Sequence, residues 1–384
     1  METNQPEVIV ATQVGTHNTI GVITLNRPKA LNALSHQMIN DIYNILIEWQ
    51  NNQDVCAIVI RSNSDRAFCA GGDIRSLYTY GREHPLRCMQ FFQDEYKLNT
   101  LIKEYSKPYI SLLHGITMGG GAGISIHGRH RVATNDLVFA MPETSIGFFP
   151  DIGGSYFLSR CKDHTGMYLA LTGQKINAAD ALHLGLITHA LHSQDYIHYF
   201  SKIIDKLINT KFVPKIDLNS QIYEFLTEVC DSIDLEGHCN LNKTNPSDIP
   251  QKSEQNHIIN NIDNINKYFN QSSLTEIFAS LEKDKNNNPW AKNTLNLLRK
   301  KSPTSLITTF ELIKRAAKLD FKQCMQQDYG LAYGFLLHND LYEGIRAALI
   351  DKDNNPTWDA IDVGDKNFNY SEYFRQDMAE KLYL

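Results

Sequence analysis

Several kinds of chemistry are missing from this 384-residue chain. Its seven cysteines form no C-x-x-C pair and follow no regular spacing. An odd, scattered set of this kind reads as reduced thiols in a cytosol-like compartment, not as a disulfide framework. The 14 histidines are equally scattered. His127 and His130 are three apart on what reads as a helix, but a third ligand is lacking at any usual spacing, so no metal is expected. Residues 351–355 lack the sixth-position glycine and terminal glutamate of a calcium loop. No G-x-S-x-G elbow is present, which argues against an ordinary serine thioesterase. No run of 18 apolar residues occurs, so no membrane span is expected. Residues 1–6 hold neither an apolar core nor an Arg-rich stretch, so neither a secretory signal nor a transit peptide is expected. A basic excess is missing too: the net charge of −6 argues against a general nucleic-acid binder and leaves room for a local pocket that meets phosphates.

What is present concentrates between Lys107 and Gly154. Tyr109 to Leu113 is a short apolar run that suits a buried strand. It is followed by Gly119, Gly120, Gly121 and Gly123, where the backbone can bend and approach a ligand with no Cβ in the way. A helix starting there leaves its first N–H groups unpaired, as a developing oxyanion requires. A tight glycine turn packed on a neighbouring strand explains the same residues. The G-x-G-x-x-G spacing of a dinucleotide site fails.

Leu137 to Met141 reads as a second strand, ended by Pro142, so Glu143 emerges at a strand end. Ile146-Gly147-Phe148-Phe149-Pro150 forms an apolar wall before Asp151. A carboxylate beside such a wall loses solvation, its pKa rises, and it becomes a usable base or nucleophile. Glu143 as a solvated loop residue, and Asp151 as a helix N-cap before Gly153-Gly154, are the competing explanations.

Four ordered motifs, LNRPKALNAL, RAFCAGGDI, HGITMGGGAG and PETSIGFFPDIGG, resemble the crotonase (enoyl-CoA hydratase/isomerase) superfamily. The match is closer to its 3-hydroxyisobutyryl-CoA hydrolase branch. Similar hydratases carry a glutamate three residues after the oxyanion glycine, where this chain has Gly123, and usually a glycine where it has Asp151. The resemblance implies an α/β fold: a crotonase-like spiral of repeated β-β-α units with a helical C-terminal region. It implies the Ala70 and Gly120 N–H groups as oxyanion donors, and Glu143 and Asp151 as the catalytic carboxylates. Glu95, Gly120, Glu143 and Asp151 are then expected to line the substrate pocket. Arg27, Lys29, Gly71, Gly72, Asp73 and Ile74 are expected near CoA. For Arg27 and Lys29 a solvated surface, and for Glu95 a helix-surface position, explain the residues equally well. Cys69 reads as a small packed residue.

Along the rest of the chain, Val8–Val14 and Thr19–Leu25 read as strands joined by a turn at residues 15–18. Ser35 reads as the cap of a helix whose apolar residues Met38, Ile39, Ile42, Ile45, Leu46 and Trp49 follow a 3.6 period. Residues 1–200 are expected to form the crotonase-like core and 201–384 a helical region, with a polar linking segment near 231–267. His338 to Ala347 and Ile350 to Trp358 resemble the hydrolase branch's C-terminal signature.

The expected activity is hydrolysis of a short branched 3-hydroxyacyl-CoA, 3-hydroxyisobutyryl-CoA above all, as in valine catabolism. No cofactor is expected beyond the CoA of the substrate, nor a nucleic-acid or membrane partner. A homo-oligomer and a bacterial cytoplasmic location are expected. The alternatives are an enoyl-CoA hydratase or isomerase, and a catalytically silent CoA-binding protein.

Overall fold

The computed structural model describes residues 5–191, 196–213, 216–237 and 258–384. The chain divides into two compact units, each assembled from three separated segments. Unit 1 comprises residues 1–72, 98–139 and 176–259, and unit 2 comprises 73–97, 140–175 and 260–384. A division at residue 200 therefore does not mark where the chain changes unit. Residues 73–97 and 140–175 join the C-terminal helices, while the helices Tyr196–Asn209 and Leu218–Gly237 belong with unit 1. Of the polar linking segment expected at 231–267, residues 238–257 lie outside the described residues. Its two ends are helical, in Leu218–Gly237 and Ile262–Phe269.

Among the described residues, unit 1 is built on nine strands: β1 Val8–Val14, β2 Thr19–Leu25, β3 Val55–Ser62, β4 Ala67–Cys69, β5 Tyr109–Leu113, β6 Ile116–Met118, β7 His130–Thr134, β8 Val138–Ala140 and β9 His189–Leu191. From β3 onward, successive strands alternate between two sheets. A six-stranded sheet has the order β1-β2-β3-β5-β7-β9, and a three-stranded sheet has the order β4-β6-β8. Each repeat thus gives one strand to each sheet, which is how a spiral of β-β-α units is made. Only β1 and β2 pair antiparallel in the large sheet; its other neighbours run parallel. Parallel strands are covered on both faces, and so β3 and β5 read as continuous apolar runs rather than alternating ones.

The helix Tyr196–Asn209 covers this sheet with Phe200, Ile203, Ile204 and Leu207, an i, i+3, i+4, i+7 stripe. They join Val22, Val59, Ile110 and Val132 from β2, β3, β5 and β7 in one buried cluster. Ser35 does cap the helix His36–Asn51, accepting from the Met38 N–H at 3.1 Å. In that helix Met38, Ile39, Ile42, Leu46 and Trp49 are buried, whereas Ile45 is half-buried. His130 opens β7 and is not on a helix.

Unit 2 is helical. The helices Pro303–Ala316 and Phe321–Leu336 bury most of their residues, the second closed at its start by a reciprocal capping box between Asp320 and Gln323. Tyr168 stacks on Trp290 at 5.5 Å and meets Phe269 edge-on at 5.1 Å.

One contact in unit 1 has no slack. Gly21 of β2 lies against the buried Trp49 indole, and a Cβ there would stand only 2.3 Å from Trp49 Cε3. Gly21→Ala should therefore cost about 1–3 kcal/mol by overpacking. Chemical denaturation checks this, and an unchanged midpoint would show that the indole can move aside freely.

Candidate active site

The first two motifs of unit 1 are laced together backbone to backbone. The loop after β2 is held by Asn32, which is fully buried and donates to Ser62 Oγ at 2.6 Å and to the Phe68 carbonyl at 3.1 Å. The Leu31 carbonyl accepts the Ala70 N–H at 3.0 Å, and the Leu34 N–H donates to the Gly71 carbonyl at 2.8 Å. The Ala70 N–H is thus already committed, which corrects its expected role as an oxyanion donor. The neighbouring Gly71 and Gly72 N–H groups have no acceptor among the described residues. At Gly71, where φ is +123°, a Cβ would lie 4.0 Å from the Gly120 nitrogen, so this loop passes directly beside the glycine cluster. The Gly120 N–H, at the start of the short helix Gly120–Gly123, has no acceptor either. A Cβ on Gly121 would collide with Cys69, so Cys69 has the packing role read from its size. The Arg27 guanidinium is engaged by Glu7 at 2.9 Å and by the Ala33 carbonyl at 2.5 Å, whereas Lys29 is exposed. Gly72, Asp73 and Ile74 are half-buried.

Unit 2 gathers the carboxylates. Glu95, Glu143, Asp151 and Asp328 are at most 6 % exposed. Glu95 and Tyr96 come from the helix Pro85–Lys103, Glu143 from the 3-10 turn Glu143–Ile146, and Asp328 from the helix Phe321–Leu336. Tyr96 donates its hydroxyl to Asp151 Oδ2 at 2.9 Å. Glu95 Oε1 and Glu143 Oε2 are buried with no hydrogen-bond partner. Neither glutamate is a solvated surface residue. Asp151 caps no helix; Gly153 precedes the helix Gly154–Leu158, and Gly154 closes a turn by donating its N–H to the Asp151 carbonyl at 2.6 Å. The apolar wall is there. Phe148 packs on Phe149 at 4.4 Å, on Phe335 at 5.5 Å and on Phe92 at 5.8 Å.

That environment sets the protonation. Burial raises Glu143 well above the usual carboxylate range, and the nearby Asp151 and Glu95 raise it further. Glu95 is raised by burial and then by Asp151, and Asp328 likewise. Asp151 is pushed up to about 7 by burial, with the Tyr96 hydroxyl and a backbone N–H acting the other way. Those donors make Asp151 the place where a single negative charge is best held.

The C-terminal signature braces the turn that carries Glu143. Lys301 is buried and donates to Ser145 Oγ at 2.6 Å, and burial lowers its ammonium to about 8. The Ser302 N–H donates to the Thr144 carbonyl at 3.4 Å, and Ser302 Oγ to Asp340 at 2.5 Å. Asp340 also accepts the Asp359 N–H at 2.8 Å. Gly344 lies against the Ile146 backbone, and Gly147 (φ +69°) against the Asp340 carbonyl.

Sequence reasoning did not find the Tyr96–Asp151 pair, Lys301 or Asp328. Asp328 did leave a signal. It lies on the helix stripe formed by Phe321, Cys324, Met325, Leu331 and Phe335, where a charged residue has no reason to be unless it is used.

The buried Asp151 implies a stability effect of definite sign. Its folded-state pKa lies above the unfolded value, so the folded chain binds more protons between about pH 4 and 7 and loses stability as pH rises through that window. Asp151→Asn removes the penalty, worth at most about 4 kcal/mol. Its Tm should match wild type below about pH 4, exceed it increasingly as pH rises to 7, and stay a few degrees above it at pH 8. A variant less stable than wild type at pH 8 would contradict this assignment.

The chain is similar to known proteins along most of its length. Residues 20–370 match the family model described as enoyl-CoA hydratase/isomerase. A mitochondrial 3-hydroxyisobutyryl-CoA hydrolase from Danio rerio is 39% identical over 338 residues, 88% of this chain and 82% of its own. Its counterpart from Gallus gallus is 37% identical, over 88% of this chain and 81% of its own. Among solved structures, a carnitinyl-CoA dehydratase from Mycobacterium thermoresistibile superposes with a TM-score of 0.79 at 30% identity, covering 96% of both chains. With the alternating two-sheet core and the motifs in order, the chain belongs to the enoyl-CoA hydratase/isomerase family, with the crotonase fold.

Proposed function

We propose that this protein hydrolyses 3-hydroxyisobutyryl-CoA to 3-hydroxyisobutyrate and CoA. The observation that carries the reading is the buried group of Glu95, Glu143 and Asp151 in a chain with Gly123 where similar hydratases place a glutamate. The relatives that bear this activity in their names match the chain along most of its length.

The free N–H of Gly120 and that of Gly72 or Gly71 receive the thioester oxygen as it gains charge, each donor being worth about 3 kcal/mol of barrier. Glu143 either attacks the carbonyl carbon or takes a proton from the attacking water. In both modes the C–S bond breaks, its electron pair leaves with sulfur, and a proton must reach the thiolate. The resting charge sits on Asp151, so Glu143 becomes active when its proton passes to the aspartate. The same transfer makes Asp151 the acid that meets the leaving thiolate. Glu95 lines the acyl pocket, and its partnerless oxygen is free for the substrate hydroxyl. Lys29 and Arg27 meet CoA phosphates, with Gly71 to Ile74 along the adenine end. No further cofactor takes part. A homo-oligomer and a cytoplasmic location are part of the proposal. The named relatives are mitochondrial, so cell fractionation decides the location.

Free-thiol release from 3-hydroxyisobutyryl-CoA tests the reading, with crotonyl-CoA hydration run in parallel. Wild type should release thiol, and Glu143→Gln should lose at least about 100-fold in kcat. Hydration without thiol release would instead mean that Glu95 or Asp151 replaces the carboxylate missing at Gly123. The kcat/KM profile should fall on the acid side near pH 7, where the group loses its single charge. Tyr96→Phe removes a donor that favours ionised Asp151, so the limb should move up, by about one unit, with the loss at pH 6 greater than at pH 8. A limb that stays near pH 4 in wild type would overturn the charge assignment.

A further inference from the structure

We propose that Asp328 is a positioning residue for Asp151: its buried carboxyl holds the turn that follows Asp151 and so fixes where the Asp151 carboxyl stands. The inference rests on the hydrolase reading above.

The turn cannot hold itself. Ile152 sits in the left-handed region at φ +54°, where a β-branched side chain is strained, and Gly153 follows at φ +73°. Two consecutive left-handed residues persist only where the surroundings over-determine them. Asp328 supplies that. Its Oδ2 accepts the Gly153 N–H at 2.9 Å, and its Oδ1 lies 3.3 Å from Ser155 Oγ. One carboxyl therefore grips the chain on both sides of Gly154, whose own N–H is tied back to the Asp151 carbonyl. Asp328 is fully buried and fixed on a sixteen-residue helix, so the grip is rigid.

The same helix reaches Asp151 by a second route. Tyr329 packs edge-on against Tyr96 at 6.3 Å, and Tyr96 donates to Asp151. Adjacent residues of one helix thus set the backbone under Asp151 and support the side chain that hydrogen-bonds its carboxylate. A displacement of about 1 Å in such a group can cost 10²-fold in rate without loss of binding.

An aspartate here repels the charge it positions, unless it stays protonated while Asp151 is ionised. The Ser155 hydroxyl donates to one carboxyl oxygen and the Gly153 N–H to the other. Asparagine keeps the Gly153 N–H on its Oδ1 and sets Nδ2 against Ser155 Oγ, which then accepts instead of donating. Alanine reproduces neither.

The test compares D328N, D328A and S155A with wild type in thiol release from 3-hydroxyisobutyryl-CoA, at a temperature well below each Tm. D328A should lower kcat by about 10- to 100-fold with KM changed less than about threefold, while D328N keeps kcat within about threefold of wild type. S155A removes one of the two contacts and should lower kcat by less than D328A, again at constant KM; it carries the test if D328A does not fold. Wild-type kcat in D328A or, where that variant does not fold, in S155A would overturn the proposal. So would equal losses in D328N and D328A, or a loss that only follows the unfolded fraction. An inactive wild type would refute the hydrolase reading instead, so the two failures are told apart.

Discussion

Burial of several carboxyl groups within a single helical unit is the constraint on which unit 2 depends. Charged carboxylates cannot share a dry space cheaply, since desolvation and mutual repulsion both favour the protonated forms. The unit settles this with one site for the charge. Asp151 has the Tyr96 hydroxyl, whereas an oxygen of Glu143 and one of Glu95 have nothing to accept. Phe148 and its ring partners Phe92 and Phe335 add an apolar wall to the same unit. The Tyr96 hydroxyl, carried by the helix Pro85–Lys103, is thus what makes Asp151 chemically distinct from the two glutamates.

In the proposed hydrolysis, unit 1 answers a different need with backbone alone. A thioester oxygen that becomes an anion is best met by N–H groups that have no other acceptor. The loop containing Asn32 and the strand β4 share their hydrogen bonds so fully that Ala70 is used up, while Gly71 and Gly72 are left over. The short helix at Gly120 begins with its first N–H likewise unclaimed. Glycine is needed at Gly71 because φ is +123°, and at Gly121 because a Cβ would collide with Cys69.

The sequence displayed what depends on local pattern. Buried parallel strands showed as apolar runs, the cap at Ser35 as a serine before a 3.6-period stripe, and Glu143 and Asp151 as carboxylates flanking an apolar wall. It hid what depends on pairing at a distance. Nothing near Ala70 tells that Leu31, thirty-nine residues earlier, takes its N–H. The three-part composition of each unit was equally invisible, because a division along the chain cannot express segments that interleave. His127 and His130 were read as helical because a spacing of three suits a helix, yet His130 begins a strand paired with β5. Lys301 and Asp328 were overlooked because their partners, Ser145, Gly153 and Ser155, lie about 155 to 175 positions away.

The choice between hydrolysis and hydration turns on where protons must go. Adding water to a double bond needs two carboxylates that act on the same water and return its proton to carbon. Cleaving a thioester needs one carboxylate at the carbonyl and one proton for sulfur. With Gly123 in place of a glutamate, the short glycine helix brings no carboxylate of its own, and every candidate comes from unit 2. There, Glu143 is held apolar and Asp151 is held ready to take or give a proton near neutral pH. Such a pair suits a leaving thiolate, because Asp151 becomes the acid only after it has accepted the proton that frees Glu143. In the proposed hydrolysis, the proton that leaves Glu143 is the one that Asp151 later delivers to sulfur.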